Sequence, residues 1–281
     1  MQAGTTEAGT KVRLPGGALL DGRLARDAAL RPFTGRLEEQ LAELAETQGG
    51  SRPARVSALL AAALTHVGGR AATPELVAGL ATTDRQFLML ALALEHTENE
   101  QWRHVTCAAC GGRFDIGFRL SGLPLTPAAE GYPWTEIDAA GRRLRLRMPT
   151  GEDEARAAAL ERAQARRALA LACVAAIDGA APQPAELEAL SEAEVDAIDA
   201  ALDAMAPQVA TTLASACSEC GTANTFEIDP YDFFLPRPAE LYREVHALAL
   251  RYHWSEAEIL DLPRERRRLY LELGEAAALP A

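Results

Sequence analysis

Apolar residues recur at helical spacing over most of the chain. Leu37, Leu41 and Leu44 share one face of a helix that we predict over 36–46. Similar runs rich in Ala and Leu predict further helices over 53–67, 85–94, 152–165, 168–177, 238–252 and 264–273. Alternation of apolar and polar residues predicts strands over 113–120 and 143–148, and short strands with turns over 11–35. The pattern therefore indicates an α+β chain that is mostly helical.

Two stretches of the chain follow one plan at a constant offset of 110 residues. Residues of several chemical classes share this offset, namely Leu80 and Leu190, Asp84 and Glu194, Cys107 and Cys217, and Leu125 and Leu235. Such agreement is difficult to obtain by chance, so we predict an internal duplication. The predicted segments are a disordered lead at 1–10, a first repeat unit at 11–127, a linker at 128–139, a second repeat unit at 140–235 and a C-terminal helical extension at 236–281.

The two predicted units differ in one helix. The first unit carries the strongly apolar run 87–94, whereas its counterpart, 196–205, alternates acidic residues with alanine. We expect the second unit to expose this face to solvent or to a partner. The extension at 236–281 has no predicted counterpart in either unit.

Composition supports the helical interpretation and limits the choice of partners. Hydrophobic residues make up 48% of the 281-residue chain, enough for a packed core, while aromatic residues make up only 5%. This balance favours helices over a β-sandwich, which needs more aromatic and β-branched residues. The net charge of −12 disfavours sequence-independent binding to nucleic acid. The basic run 264–268 is therefore interpreted as a solvated helix face or as a docking contact for an acidic protein surface.

No segment of the sequence predicts a membrane partner. Uninterrupted apolar runs stay well short of the roughly 20 residues that a spanning helix needs. The N-terminal residues 1–10 lack the basic and apolar regions of a signal peptide. We therefore expect a soluble protein located in the cytoplasm.

Four of the five cysteines form two C-x-x-C-G knuckles. One knuckle contains Cys107 and Cys110, and the other contains Cys217 and Cys220. A structural zinc site needs four tetrahedral ligands, so each knuckle supplies half of one. In a reducing compartment, paired knuckles indicate a metal site rather than disulfides. We predict one structural Zn²⁺ per chain in a zinc-ribbon-like four-cysteine site that joins the two units; redox-active or simply free thiols are the alternative.

The remaining chemistry-bearing residues favour a structural interpretation. Cys173 lies in an apolar run and is predicted to be buried, and His104 is predicted to be a surface residue, with a spare metal ligand as the alternative. Acidic pairs such as Glu38-Glu39 fall in the first turns of helices, where they complement the helix dipole. Nucleophile elbows, P-loops and zinc-protease signatures do not occur in the sequence. We therefore predict a protein that is not an enzyme.

Several stretches resemble the T4-like baseplate hub assembly chaperones of contractile phage tails and related injection systems. In the first unit they are Leu30-Arg-Pro-Phe-Thr-Gly-Arg-Leu-Glu38, Thr83-Asp-Arg-Gln-Phe-Leu88 and the first knuckle followed by Phe114-Asp-Ile116. In the extension they are Glu244-Val-His-Ala-Leu-Ala249, Tyr252-His-Trp-Ser-Glu256 and Ile259-Leu-Asp-Leu262. The resemblance implies a non-enzymatic role in building the baseplate, with baseplate or hub proteins as partners. A zinc-ribbon adaptor in a transcriptional or other regulatory complex is the alternative.

Overall fold

The computed structural model describes residues 9–47, 49–97, 99–209, 212–234 and 236–278. Most of the predicted disordered lead, 1–10, lies outside these ranges, and so does Leu235, one member of the pairs that share the 110-residue offset. Helices account for 46% of the chain and strands for 28%, which confirms the α+β class.

The first half of the chain, residues 11–126, begins with a β-hairpin and ends beyond the first knuckle. Its elements are β1 (Lys11–Leu20), β2 (Arg23–Leu30), α1 (Gly35–Thr47), α2 (Arg52–Ala63), β3 (Leu64–Val67), β4 (Arg70–Ala71), α3 (Pro74–Ala78), α4 (Thr82–His96), β5 (Glu100–Thr106), β6 (Arg113–Arg119) and β7 (Leu125–Thr126). The strands β1 to β4 form one antiparallel sheet in that order. Asp21 and Gly22 close its first hairpin with positive φ angles of 48° and 74°, as an Asp-Gly hairpin turn requires.

The second half, residues 134–234, repeats most of this order, and a helical tail follows it. Among its described residues, the second half lacks a counterpart of β4, and its short strand comes before the knuckle hairpin instead of after it. The second half contains β8 (Trp134–Ala139), β9 (Arg142–Arg147), α5 (Gly151–Ala157), α6 (Arg162–Ala172), β10 (Val174–Ile177), α7 (Pro184–Glu188), α8 (Glu192–Met205), β11 (Gln208–Val209), β12 (Thr212–Ala216) and β13 (Ala223–Glu227). The tail contains α9 (Pro238–Tyr252), α10 (Glu256–Leu260) and α11 (Arg264–Ala278).

Three helix predictions are wrong, two at their C-terminal ends and one in its interior. The predicted helix 53–67 stops at Ala63, and the predicted helix 168–177 stops at Ala172; each is followed by a strand, β3 or β10. Both strands pair with the second strand of the preceding hairpin, so sheet hydrogen bonds override the helical spacing. The predicted helix 152–165 is likewise divided between α5 and α6.

The predicted linker 128–139 contains a strand. Its second part, β8, pairs along its whole length with β9 and forms one edge of the sheet β10-β9-β8. The last four residues of β8, Glu136-Ile-Asp-Ala139, alternate in polarity as a half-buried strand does. The second half therefore begins before residue 140.

The two halves are interlocked rather than merely adjacent. The core of the first half also contains side chains from the end of the second, among them Val209, Tyr231 and Phe234. The short strand β7 pairs with β11 across the halves. The tail has a core of its own, built from Leu241, Val245, Leu248, Ile259 and Leu260. In the described ranges, the helices are all too short or too polar to cross a membrane.

Candidate metal centre

Each knuckle closes the end of a two-stranded hairpin. In the first, β5 pairs with β6, the Cys107 N–H donates to the Gly112 carbonyl at 2.9 Å, and the Gly111 N–H donates to the Cys107 carbonyl at 3.0 Å. The second knuckle, between β12 and β13, has the corresponding two bonds at 2.9 Å each. Gly111 and Gly221 adopt φ angles of 72° and 73°, which a side chain would disfavour. The sequence C-x-x-C-G therefore produces the same tight turn twice.

The fold brings all four knuckle sulfurs together. Their Sγ atoms lie within 4.8 Å of one another. Cys107 and Cys220 are 3.7 Å apart at sulfur, and Cys110 and Cys217 are 3.8 Å apart. Disulfide sulfurs would lie about 2.05 Å apart, whereas four thiolates placed tetrahedrally about 2.3 Å from one zinc lie about 3.8 Å apart. The spacing therefore fits a tetrahedral metal ion and not a pair of disulfides.

A family model described as T4 bacteriophage base plate protein matches residues 18–235. The chain belongs to this family. A search of curated proteins and a search of solved structures give no significant match. The match confirms the resemblance to a T4-like baseplate protein, and it includes both knuckles and stops before the tail helices. Membership supports a structural or assembly role in a phage baseplate rather than a catalytic one.

Backbone amides and the side chains of Asn224 and Thr222 surround the sulfurs of this baseplate protein. The Gly112 N–H donates to Cys110 Sγ, and the Glu219 N–H donates to Cys217 Sγ, both at 3.4 Å. Asn224 of the second hairpin donates from Nδ2 to Cys107 Sγ at 3.6 Å and accepts from the Ala108 N–H at 3.1 Å. Asn224 thus links the two knuckles, and sequence reasoning missed it because its partners are more than 100 residues away.

The surroundings favour the thiolate form at two of the four cysteines and oppose it at Cys110. The Gly112 N–H lowers the pKa of Cys110, but the neighbouring Cys220 thiol and burial outweigh it and raise that pKa to about 12. The hydrogen bond from the Cys110 N–H is the main cause that lowers the pKa of Cys107 to about 6. The Thr222 hydroxyl lowers the pKa of Cys220. Cys107 and Cys217 are buried against a small apolar cluster in which the Phe114 and Phe226 rings meet edge to face at 5.9 Å. The site is therefore anchored on one side by apolar packing, whereas Cys110 and Cys220 face solvent.

The other two candidate residues lie away from this centre. Cys173 is fully buried in the core of the second half, where burial raises its pKa to about 12, so it is an inert apolar side chain. His104 lies on β5 with its side chain 78% exposed, and its Nδ1 bonds Asp115 across the hairpin. It is not among the four clustered ligands.

The interpretation of the basic run 264–268 as a solvated face is wrong at two positions. Arg264 and Arg267 are both buried and both bond the buried carboxylate of Glu38. Arg264 donates from Nη1 to Glu38 Oε2 at 2.8 Å, and Arg267 donates from Nη2 to Glu38 Oε1. The interpretation of Glu38 as a residue that only complements the helix dipole is therefore incomplete. Its carboxylate also links α11 to α1 through the two arginines.

A second buried carboxylate holds the first hairpin. Asp84, near the start of α4, accepts from the Gly16 and Gly17 N–H groups at 2.9 and 2.8 Å and from the Tyr132 hydroxyl at 3.2 Å. Burial raises the pKa of Asp84 despite these bonds. The glycine pair allows this close approach, because a Cβ on Gly16 would lie 2.8 Å from Asp84 Oδ2.

Proposed function

We propose that this chain is a non-enzymatic assembly factor or structural component of the baseplate of a contractile phage tail-like particle or contractile injection system. The family match over residues 18–235 carries the proposal. Its partners are baseplate or hub proteins, and it meets them in the cytoplasm of the producing cell. The net charge of −12 supports protein partners over nucleic acid.

We further propose that Cys107, Cys110, Cys217 and Cys220 bind one structural Zn²⁺. Tetrahedral spacing of the sulfurs, amide hydrogen bonds to two of them and the soft thiolate donor set support this assignment. Four protein ligands leave no open coordination position, so the ion would have a structural and not a catalytic role. It would join the β5–β6 hairpin of the first half to the β12–β13 hairpin of the second.

The two halves are proposed to be copies of one ancestral unit. The similar order of elements in the two halves supports this duplication, and several elements keep the 110-residue offset, such as α2 and α6, α3 and α7, and α4 and α8. The units then meet at the metal centre, each contributing one knuckle. Superposition of the halves in an experimentally determined structure tests the duplication, and different chain paths through the two hairpins would contradict it.

Affinity purification tests the baseplate role. A tagged chain is expressed in cells that produce the particle, and both the soluble complexes and the finished particles are analysed by mass spectrometry. We expect baseplate or hub proteins to co-purify with it. Presence in finished particles would identify a permanent component, and presence only in soluble complexes would identify a transient assembly factor. Recovery without any tail or baseplate protein would contradict the proposal.

Elemental analysis tests the metal assignment. We expect one zinc per purified chain, and loss of that zinc in the Cys110→Ser variant. The matched control is Cys173→Ala, which removes a thiol outside the cluster and keeps one zinc per chain. Two zinc ions per chain, or none after purification with zinc supplied, would contradict a shared site.

A further inference from the structure

The tail contains a third copy of the helix pair α3–α4. In the pair α10–α11, equivalent residues follow those of α3–α4 at a constant separation of 182 residues (Thr73 to Ser255, Leu80 to Leu262, Arg85 to Arg267). Both pairs consist of a five-residue helix and a fifteen-residue helix. Thr73 and Ser255 cap the short helices by accepting a backbone N–H. The expectation that the extension has no counterpart is therefore wrong.

Both helix pairs contact the same kind of surface through the same backbone bonds. In each case the surface is a Thr-Gly dipeptide (the Thr-Gly step), in which the threonine precedes a helix and the glycine is its first residue. The two steps are Thr34-Gly35 at α1 and Thr150-Gly151 at α5. Isolated antiparallel bridges join Thr34 to Pro263 and Thr150 to Ala81. The Gly35 N–H donates to the Leu262 carbonyl at 3.4 Å, and the Gly151 N–H donates to the Leu80 carbonyl at 3.2 Å.

An arginine and a glutamate complete each contact. Arg267 and Arg85 are both fully buried, and each packs on the glycine of its Thr-Gly step. The glutamate stands three residues after that glycine. Arg267 donates to Glu38, while Arg85 Nε lies 3.6 Å from Glu154 Oε2. The two contacts share their backbone bonds and an arginine–glutamate ion pair. They differ in hydrogen bonding, since Arg85 donates to groups of its own half, namely Ser57 Oγ and the Val77 and Pro53 carbonyls.

The two occurrences differ in what they connect. The pair α3–α4 belongs to the first half and docks on the second half, so this contact holds two folded units together. The pair α10–α11 docks on the first half in the corresponding place. The remaining helix pair, α7–α8 of the second half, has Val195 at the position of the arginine in the other two pairs. Its Leu190 carbonyl accepts a hydrogen bond from Arg167 of its own half at 2.6 Å. That pair therefore lacks the docking arginine.

We propose that Thr34, Gly35 and Glu38 form a docking site for a helix pair of the α3–α4 type, which α10–α11 occupies within the chain. The partner that fits it in an assembly is a neighbouring baseplate subunit that presents such a pair, an identification that rests on the proposed function. Its recognition features are a leucine just before the long helix and an arginine five residues later. The helix pair α10–α11 of the tail then occupies this site until the helix pair of the partner replaces it.

Peptide binding to a chain that ends at Trp254 tests the site. The probes are labelled peptides of residues 255–278 and 73–96, followed by fluorescence anisotropy. We expect both to bind and to compete with each other. The Arg267→Ala and Arg85→Ala peptides should bind at least tenfold more weakly, while Arg266→Ala, which alters an exposed arginine of the same run, should bind like the parent peptide.

The peptide of residues 183–205, which spans α7–α8 and carries Val195, is the matched negative control. Binding of 255–278 without binding of 73–96 would overturn the proposal, as would equal binding of the 183–205 peptide. If the shortened chain does not fold, the full-length Arg267→Ala variant replaces it. We expect that variant to bind the 73–96 peptide more tightly than the unaltered chain does, and equal weak binding by both would also overturn the proposal. If the peptides do not bind, the docking proposal is wrong, but the baseplate role is still tested separately by co-purification.

Discussion

At the scale of single residues, buried carboxylates hold distant segments together. Glu38 receives two buried arginines from α11, and Arg267 also donates to Glu244 of α9 at 3.1 Å. Burial raises the pKa of Glu38, although both arginines oppose that shift. The cluster therefore depends on its full complement of partners, because a buried charge without its counterpart is costly.

The Glu38→Gln substitution tests this dependence. We expect it to lower the free energy of unfolding by about 3–5 kcal/mol, since it removes the carboxylate that two buried guanidinium groups share and leaves Arg267 with only Glu244. Urea unfolding followed by circular dichroism measures the change. The control is Glu43→Gln, an exposed position of the same helix, and a loss no larger than in that control would show that the cluster contributes nothing to stability.

Glu194 predicts a pH dependence of stability. Hydrogen bonds from Ser191, then from Arg142, lower the pKa of Glu194 to about 2. A carboxyl group whose pKa is lower in the folded state stabilises the fold above its unfolded value of about 4.5, and that contribution is lost as the pH falls toward 2. We expect Glu194→Gln to destabilise the protein by roughly 2 kcal/mol at pH 7 and by progressively less between pH 4.5 and 2.

Thermal unfolding across this pH range measures the difference between Glu194→Gln and the unaltered chain. The control, Glu188→Gln, alters an exposed carboxylate, and its effect on stability should stay small at every pH. A difference for Glu194→Gln that stays constant from pH 7 to pH 2 would argue against the charged interaction.

At the scale of elements, glycines at helix starts permit close docking. Gly151 is the first residue of α5, and a Cβ there would lie 2.3 Å from the guanidinium carbon of the buried Arg85. Ordinary helix propensity favours alanine over glycine by roughly 0.5–1 kcal/mol. Here the steric contact outweighs that preference, so the glycine serves packing between the two halves.

The Gly151→Ala substitution should therefore destabilise the protein by about 1–3 kcal/mol, the usual cost of overpacking. The paired control is Gly79→Ala. Gly79 has a helical φ of −76°, and its added Cβ would meet neighbours no closer than 3.5 Å, so we expect no loss of stability there. Denaturant midpoints compare the two variants, and equal behaviour would exclude a special role for Gly151.

Element types were easier to predict than element ends. The helix 238–252 has the predicted bounds, because Pro238 begins it and His253, with a left-handed φ of 55°, ends it. The strands β3 and β10 were missed, because short segments that continue an apolar helical pattern, such as Val174–Ile177, fit a helix and a strand equally well. Their pairing partners in β2 and β9 decide between the two.

At the scale of the whole molecule, the cluster of four cysteines is one of several places where the halves meet. The others are the β7–β11 pairing, the shared core and the docking of α3–α4 on α5. The cluster around the cysteines is separate from the cores of the two halves. Loss of metal should therefore loosen the two knuckle hairpins first and leave the helical cores folded.

Hydrogen exchange with and without a chelator tests this division. We expect lower protection in residues 100–119 and 212–227 after zinc removal, with little change in α4 or α8. Binding at a zinc concentration about 1,000-fold above the dissociation constant should add about 4 kcal/mol to stability. A uniform loss of protection over the whole chain would show instead that the ion supports the entire fold.

The sequence by itself determined the features that depend on near neighbours. The spacing C-x-x-C-G sets the turn of each knuckle, and the apolar periodicity sets the main helices, because both act over a few residues. Only the tertiary structure decided which charges are buried. Glu38 meets Arg264 and Arg267 across 226 and 229 residues of chain, so no local pattern distinguishes them from solvated surface charges. The same long-range packing brings two half-sites of cysteines together and seats one helix pair on each half.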